Sequence, residues 1–461
     1  GWLIKSENYQ ALNTILPKFN DKIQTIYIDP PFNKDKNADY HYNVKYRNSS
    51  WATMLENRLH LAKNCLNEKG SIFVRCDYNG NWIVRLLMDD IFGKENFRNE
   101  IIVWRGSPKA GLFIQFGDLK SIGVMYDNLY WFSKSVNTGY TGFIKALPEK
   151  RNGYWANFKK IYDRPTMRYE ILGINLDKGQ WMWNRERALQ AVENYKIYLE
   201  ESKITNESIE EYWLRMDKKL EFVRRQGDTI QYWVTPKDTT LLDNNWLDIP
   251  GYSSGWGFST ENSEALLKRV IESTSNKSDL VMDFFLGSGT TTAVAHKLGR
   301  KWLGVEMGEH FYSIILPRMK KVLFYDKSGI SKEKDVQEKY NKENAGGFFK
   351  YYELEQYEDT LRNVKYDDYD LFNNPYQDIY NQYVFMRDLK MLEALEIDYE
   401  NNKVNVDLSK LYKNIDIPET LSNLTGKWIK KITSDYVEFE DGEKIDIKNL
   451  DYKLIKPLIW W

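Results

Sequence analysis

The chain has 461 residues, 42% of them hydrophobic, so it is too long for one ordinary core and predicts two or three domains at about 150 residues each. Two cysteines and four histidines, with no Cys/His cluster, argue against a disulfide framework and a metal site. No signal peptide and no apolar run of about 18 residues appears, so we expect a cytoplasmic protein without a membrane segment.

The net charge of −1 hides an asymmetry along the chain. Residues 141–190 carry ten Lys/Arg against five Asp/Glu, net +5, whereas residues 351–400 carry four against thirteen, net −9. The first segment can face a polyanion and the second would be repelled by one, although charge runs are also common on solvated faces.

One predicted strand ends in an acid, two prolines and an aromatic ring, in the stretch TIYIDPPFN at residues 25–33. Proline fixes its own φ and disfavours helical backbone in the residue before it, so Asp29 and Pro30 are held extended. A carboxylate at the carboxyl end of a buried strand lies where open α/β sheets place their ligands. The same four residues also fit a strand-ending turn with a solvated Asp.

Helical and strand patterns then alternate on both sides of an irregular region at about 135–245. Before it, an apolar stripe predicts a helix from an N-cap at Ser50 to a stop at Gly70, and strands are predicted at SIFVRC, EIIVW and NLYWFSK. After it come a helix at ENSEALLKRVIEST, strands at DLVMDFF and KWLGVEM, and the helices TTTAVAHKLG and EHFYSIILPRMKKVL. This alternation is typical of a doubly wound α/β sheet.

A second informative stretch is a glycine loop between a strand and a helix. The strand ends at Asp283, and Gly287 and Gly289 let a ligand approach the backbone. Glu306 ends the next strand, where an acidic side chain can bind ribose hydroxyls. Thr292 stands where a dinucleotide loop has its third glycine, which favours a nucleoside without a pyrophosphate. A plain glycine turn is the alternative.

Together the two stretches resemble DNA amino-methyltransferases. Residues 29–32, DPPF, are similar to their D-P-P-[Y/F] motif, and residues 283–289, DFFLGSG, to their S-adenosylmethionine loop. The catalytic half precedes the cofactor half, as in the beta class, and residues 49–59 and 70–79 resemble modification subunits of type III restriction systems. GFSTENSEALLKRVI resembles the helix motif before the loop, with Asn262-Ser263 where the family has Lys-Pro. The resemblance covers about residues 1–325.

The resemblance implies an S-adenosylmethionine-dependent enzyme that methylates N6 of a flipped-out adenine in double-stranded DNA. It implies a Rossmann-like, circularly permuted α/β sheet, with a catalytic half at 1–134 and a cofactor half at 246–325. The implied catalytic residues are Asp29, Pro30, Pro31 and Phe32. The implied cofactor residues are Ser259, Thr260, Asp283, Phe284, Phe285, Gly287, Gly289 and Glu306.

The irregular region 135–245 then becomes the candidate target-recognition insertion. Its candidate DNA-binding residues are Lys145, Lys150, Arg151, Lys159, Lys160, Arg164 and Arg168. They are interleaved with the aromatic residues Tyr154, Trp155, Phe158, Tyr162 and Tyr169. A solvated irregular insertion is the alternative.

A linker is predicted at 326–347 and a C-terminal α+β interaction domain at 348–461, with a hairpin around Asp441-Gly442. Resemblance to type III modification subunits implies a bacterial homodimer and a separate restriction (translocase) subunit. Cytosine-N4 methylation is the nearest alternative activity, and it usually has Ser in place of Asp29. A DNA-specificity subunit without catalysis is the alternative from another class.

Overall fold

The computed structural model describes residues 1–32, 48–106, 124–142, 144–258, 260–354, 395–398, 400, 403–411, 415–451 and 454. Contacts divide the chain into two compact units, a larger one of residues 1–141 with 243–461 and a smaller one of residues 142–242. The insertion predicted at 135–245 is a few residues wider at each end than the smaller unit.

The elements are numbered in chain order. The first stretch of the larger unit contains strands β1 (Trp2–Lys5), β2 (Ile23–Ile28), β3 (Leu66–Cys76), β4 (Phe97–Trp104) and β5 (Tyr126–Ser133), and helices α1 (Asn8–Phe19), α2 (Asn48–Cys65) and α3 (Asn81–Phe92). The smaller unit contains strands β6 (Ile144–Arg151), β7 (Tyr154–Asn157), β8 (Lys159–Lys160), β9 (Gln180–Trp181), β10 (Val223–Gln226), β11 (Thr229–Val234) and β12 (Lys237–Leu241), and helices α4 (Arg185–Thr205) and α5 (Ile209–Arg215).

The chain then returns to the larger unit. Its strands there are β13 (Asn245–Pro250), β14 (Leu280–Asp283), β15 (Lys301–Glu306) and β16 (Lys350–Glu353), and its helices are α6 (Glu264–Thr274), α7 (Thr290–Lys297), α8 (Leu316–Leu323) and α9 (Lys334–Gln337). The C-terminal elements are β17 (Leu395–Asp398), β18 (Lys403–Val406), α10 (Leu408–Leu411), α11 (Ile417–Thr425), β19 (Ile429–Ile432), β20 (Tyr436–Phe439) and β21 (Lys444–Asp446).

A nine-stranded sheet organises the larger unit, in the order β13-β4-β5-β3-β2-β14-β15-β1-β16. β5 runs antiparallel to both neighbours and the other pairings are parallel. Val281 of β14 pairs with Thr25 of β2, so the two predicted site strands lie side by side. Their carboxyl ends meet at one edge of the sheet, which confirms the predicted α/β class and places Asp29 and Asp283 at that edge.

Helices α1, α2 and α3 cover this sheet with apolar side chains. Leu12, Leu55, Val84 and Met88 are buried with the sheet residues in one core cluster. The helix predicted to run from Ser50 to Gly70 instead spans Asn48–Cys65. Gly70 lies inside β3, where an added Cβ would come within 2.9 Å of the Ile23 carbonyl, so its lack of a side chain serves strand packing rather than a helix stop.

The smaller unit has its own core and its own short antiparallel sheets. β10, β11 and β7 form a three-stranded sheet, and the pairs β12-β6 and β8-β9 form two more. Phe158, Trp181 and Trp183 are buried together beneath α4, and Trp213 and Trp233 form a second cluster. The many aromatic residues of this region are therefore largely structural.

Residues after 325 are grouped with the central sheet in the larger unit. Lys350–Glu353 forms β16, the edge strand of the central sheet, and α11 packs against α1. Lys18 of α1 donates to Ser422 Oγ at 2.6 Å and lies 4.4 Å from the Trp428 ring. The predicted hairpin forms, with Val437 opposite Ile445. Residues 355–394, which carry most of the predicted acidic stretch, lie outside the described residues.

A bilayer-spanning helix is not found in the described part of the chain, because no helix there combines sufficient length with sufficient apolar character.

Candidate active site

A cleft with about 530 Å³ of open space, part of it continuous with solvent, lies at the carboxyl edge of β2 and β14. Its wall is formed by Asp29, Pro30, Pro31, Phe32, Tyr252, Phe258, Thr260, Asn262, Phe285, Leu286, Gly287, Ser288, Thr290 and Thr291. The two stretches singled out from the sequence therefore line one cleft. Ser259, a predicted cofactor residue, lies outside the described residues.

The turn after β2 is stabilised by contacts from neighbouring side chains. The buried indole of Trp51 in α2 donates to the Pro31 carbonyl at 2.8 Å. Phe32 is 6% exposed, and the Arg105 guanidinium lies 5.6 Å from its ring centroid. The two prolines stiffen the backbone, and these contacts fix where the turn points.

Asn262 connects the Asp29 carboxylate to two buried donors. Its Nδ2 donates to Asp29 Oδ2 at 2.9 Å, and its Oδ1 accepts from the Tyr27 hydroxyl at 2.8 Å and from Arg75 Nη1 at 2.5 Å. Burial raises the pKa of Tyr27 well above its ordinary value, so the hydroxyl keeps its proton. Two donors facing one side of the amide leave its NH₂ toward Asp29, which settles the amide orientation on hydrogen-bonding grounds.

Arg75 is itself fixed by a buried network. It donates to Asp127 Oδ2 at 3.2 and 2.8 Å and to the Gly251 carbonyl at 2.8 Å. The Tyr252 hydroxyl donates to the same Asp127 oxygen at 3.1 Å, and its ring lies 4.0 Å from the guanidinium. Because Arg75 and Asp127 are fully buried, this ion pair has few other arrangements and holds Asn262 in one position.

Burial raises the pKa of the Asp29 carboxyl to about 6, against the lowering effects of Arg75 and of the hydrogen bond from Asn262. Asp127 and Asp77 raise it further. The carboxyl is therefore mainly ionised at neutral pH and becomes protonated just below it. A carboxylate with this behaviour in a cleft is typical of a functional site.

The glycine loop lies on the opposite wall. Gly287 has a φ of +56°, which a residue with a side chain rarely adopts, and its N–H donates to Glu306 Oε2 at 2.9 Å. The other Glu306 oxygen accepts from the Gly308 N–H at 2.8 Å. Glu306 therefore lies behind the loop and shapes it, whereas the sequence predicted only a ribose contact. Gly289, with a φ of +80°, precedes α7.

Asp283 also lies behind the cleft, not on its wall. Its carboxylate accepts from the Phe285 N–H at 3.0 Å and from the Thr291 hydroxyl at 2.5 Å. Burial raises the pKa of Asp283 to about 7, although both hydrogen bonds lower it. Phe284 is 1% exposed and belongs to the core. Of the predicted cofactor residues, Thr260, Phe285 and Gly287 line the cleft directly.

A second buried ionic network supports this loop. Arg318 of α8 donates to Glu261 Oε1 at 2.9 Å, to the Ser288 carbonyl at 3.2 Å and to the Thr290 hydroxyl at 2.9 Å. It also donates to Glu264, which a buried Lys297 contacts through both carboxylate oxygens. Arg318 therefore joins the glycine loop to the segment that carries Asn262.

The sequence reasoning missed Arg75, Asp127, Glu261 and Arg318. A signal was present for the two arginines, because each interrupts an apolar run, SIFVRC and SIILPRM, and a charge in such a run needs a buried partner. The partners themselves lie far away in sequence and carry no local signal.

The predicted DNA-binding residues lie in the smaller unit and differ in accessibility. Arg151, Lys159 and Arg164 are exposed. Lys150 is also exposed and pairs with Glu210 at 3.2 Å, and Lys145 and Lys160 are partly exposed. Arg168 is bound internally to Asp163 and to the Gly179 carbonyl.

The aromatic residues interleaved with these cations also differ. Phe158 is fully buried, and the Tyr169 hydroxyl donates to the Trp183 carbonyl at 2.7 Å. Trp155 is partly buried against Tyr195. Tyr154 and Tyr162 are exposed.

Among the described residues, no group of three or more His, Cys, Asp and Glu side chains is arranged to hold a metal ion.

A family model described as DNA methylase matches residues 23–317. The probable type III restriction-modification enzyme HindVI Mod subunit of Haemophilus influenzae is 26% identical over 86% of this chain and 59% of its own length. The type II methyltransferase M.EcaI of Enterobacter cloacae is 24% identical over 66% of each chain. The structure of PvuII DNA methyltransferase (cytosine-N4-specific) matches with a TM-score of 0.40 and 14% identity, over 76% of this chain and 94% of that one. The chain thus spans about three-fifths to two-thirds of the two curated relatives.

Proposed function

Because this chain belongs to the DNA methylase family, we propose that it transfers a methyl group from S-adenosylmethionine to the N6 atom of adenine in double-stranded DNA. The observation that carries the proposal is the single cleft lined by both the Asp29 turn and the Gly287 loop. A base held at one wall and a methyl donor held at the other would meet within it. Bringing two reactants together in this way is a large part of catalysis.

The residues of the second wall fit the methyl donor. Gly287 offers a backbone without a Cβ, Thr260 and Ser288 offer hydroxyl groups, and Phe258 and Phe285 offer apolar surface. We assign the nucleoside and amino-acid parts of the donor to these residues. When bound, the donor supplies a methyl group on a positively charged sulfur.

The first wall prepares the nucleophile. The lone pair of the exocyclic nitrogen is delocalised into the adenine ring, so this nitrogen attacks poorly. We assign one of its hydrogens to the Asp29 carboxylate and the other to the Pro30 carbonyl. Two fixed acceptors draw the nitrogen toward tetrahedral geometry and stabilise the positive charge that develops there during transfer.

Asn262 determines which carboxylate oxygen receives the base. It donates to Asp29 Oδ2, so we assign Oδ1 to the amino group. Phe32, at the same wall, offers a ring face on which the base can stack. The base has to leave the duplex to reach this cleft, at a cost of about a few kcal/mol.

The test is to incubate the protein with S-adenosylmethionine labelled on the methyl group and unmethylated DNA, then hydrolyse the DNA and separate the nucleosides. We expect label in N6-methyldeoxyadenosine. Label in N4-methyldeoxycytidine would support cytosine-N4 methylation. DNA that carries no label would support a specificity subunit without catalysis. Asp29, in place of the Ser usual for cytosine enzymes, favours adenine.

A matched pair of variants tests the role of the turn. Asp29→Asn removes the negative charge and should reduce turnover by at least about a hundredfold, with methyl-donor affinity retained. Asp21→Asn changes an Asp at the other end of β2, where the side chain is exposed and pairs with Lys134, and should leave turnover unchanged. Near-normal turnover of Asp29→Asn would show that the turn is only structural.

We also propose that the chain acts as a modification subunit, as a homodimer with a separate restriction subunit. Support comes from the similarity to the HindVI Mod subunit and from the sequence motifs of residues 49–59 and 70–79. Light scattering of the active protein measures the solution mass. A monomer with full methylation activity would contradict the dimer.

A further inference from the structure

The loop of residues 159–168 in the smaller unit, here called the tip loop, exposes two large apolar side chains. Ile161 is 97% exposed and Tyr162 is 78% exposed. Among the described residues, Ile161 has the highest exposed fraction of any large hydrophobic side chain. Folding gains no hydrophobic stabilisation from these two neighbouring side chains, so both are accessible to a partner.

Strand pairing and hydrogen bonds fix the base of the tip loop. β8 and β9 pair there, with Lys159 opposite Trp181, and Phe158 stacks on the Trp181 ring at 5.7 Å. Asp163 accepts from Arg168 and from the Gly179 N–H at 3.1 Å, and Arg168 donates to the Gly179 carbonyl at 3.0 Å. The exposed pair is therefore presented on a fixed support.

The charge around the pair is positive. The tip loop contains Lys159, Lys160, Arg164 and Arg168 against the single acid Asp163, net +3. Asp163 is bound to Arg168. Of the other three cations, Lys159 and Arg164 are exposed, and Lys160 is partly exposed beside the Tyr232 ring. An apolar point surrounded by cations matches a nucleic-acid duplex, whose phosphates flank an apolar base stack.

We propose that the tip loop is a DNA wedge: Lys159, Lys160 and Arg164 bind phosphates while Tyr162 and Ile161 insert against a base step and partly unstack it. The inference rests on the proposed action on DNA. It names the contact by which the smaller unit binds the duplex and partly unstacks it.

Photo-crosslinking tests the contact without requiring turnover. Tyr162 is replaced by p-benzoylphenylalanine in the full chain and irradiated with labelled, sheared, unmethylated genomic DNA. Ile204, 89% exposed at the end of α4 and near Glu200, Glu201 and Glu207, is the matched control. We expect a DNA adduct at position 162 and none at 204. No adduct at 162, equal adducts at both positions, or an adduct to a second copy of the chain in place of DNA would overturn the wedge.

Salt titrations separate the wedge from its cations. Tyr162→Ala should weaken DNA binding about tenfold at every salt concentration with an unchanged slope, the size of about one stacking contact. Lys159→Gln should reduce the log–log salt slope by about 0.9, as for one phosphate contact. Unchanged affinity of Tyr162→Ala would refute the insertion.

These readouts stay distinct from the proposed function. A protein that forms the adduct but methylates no DNA would contradict the methyltransferase proposal and keep the wedge. A protein that methylates DNA but forms no adduct at position 162 would contradict the wedge and keep the methyltransferase proposal.

Discussion

Replacing Asn262 by Leu should shift the pH dependence of methyl transfer rather than abolish transfer. The change keeps the approximate volume of the side chain and removes the N–H that donates to Asp29 Oδ2 at 2.9 Å. It also removes the acceptor of the Tyr27 hydroxyl and of Arg75 Nη1, which lowers stability at every pH, although Arg75 keeps the Gly251 carbonyl and Asp127. The hydrogen bond to Asp29 Oδ2 lowers the pKa of Asp29, which burial has raised to about 6. Without it the protonated carboxyl persists to higher pH, and a protonated carboxyl is a poorer acceptor for the amino group.

The size of the shift follows from the strength of the lost bond. A hydrogen bond to a charged group contributes about 1.5–3 kcal/mol, and the lower value applies because the cleft is open to water. At about 1.4 kcal/mol per pH unit, the acidic limb of the kcat/KM profile should move from about pH 6 to about pH 7. The variant should be about threefold slower at pH 6.5 and nearly equal to the natural protein at pH 8.5.

The assay is the rate of methyl transfer to DNA at limiting substrate, measured from pH 5.5 to pH 9. Asn67→Leu is the control, because Asn67 lies near the start of β3, away from the cleft, and donates to Gln24 at 3.0 Å. It should leave the acidic limb in place. A loss in Asn262→Leu that is the same at every pH, or an unshifted limb, would refute the reasoning.

Three further changes test the glycine loop, the buried ionic network behind it and the packing of the C-terminal segment on α1. Glu306→Gln should weaken S-adenosylmethionine binding about tenfold, because an NH₂ group replaces one of the two oxygens that accept from the Gly287 and Gly308 N–H groups. Calorimetry measures the affinity, and an unchanged value would contradict this role. Arg318→Met should lower the free energy of unfolding by about 3–5 kcal/mol because the buried Glu261 carboxylate loses its charged partner, while Glu264 keeps Lys297. Lys320→Met, at an exposed neighbouring position, should leave the free energy of unfolding unchanged. Trp428→Ala should lower the free energy of unfolding in denaturant by about 1–3 kcal/mol, because the Trp428 ring packs on Phe19 of α1. Ile432→Ala, at an exposed position of β19, should change it little. Equal effects of the two variants would contradict the packing.

The parts of the site that could be predicted from sequence are those whose signal is local. The Asp29 turn and the Gly287 loop each combine a buried strand with residues of special backbone geometry, and both lie at the cleft. Asn262 was noted only as a departure from a motif. Its contact to Asp29 spans 233 positions of the chain, and no pattern of local spacing reports such a pairing.

The burial of individual side chains and the ends of helices and strands were predicted less well, for a physical reason. In the irregular region, basic and aromatic residues alternate without a regular period, so the sequence could not separate the buried Phe158 from the exposed Tyr162. Gly70 looked like a helix stop because glycine serves both helix ends and close strand packing. β16 could not be anticipated as a sheet edge, since it pairs with a strand at the other end of the chain.

The placement of β1 has a consequence for biosynthesis. Trp2 pairs with Leu303 and with Lys350, so β1 leaves the ribosome about 300 residues before the first of these partner strands is made. β2 likewise waits for β14, whereas the strands of the smaller unit pair with one another among the described residues. A nascent chain interrupted before Glu306 therefore carries open strand edges beside an already closed smaller unit, and such edges promote aggregation.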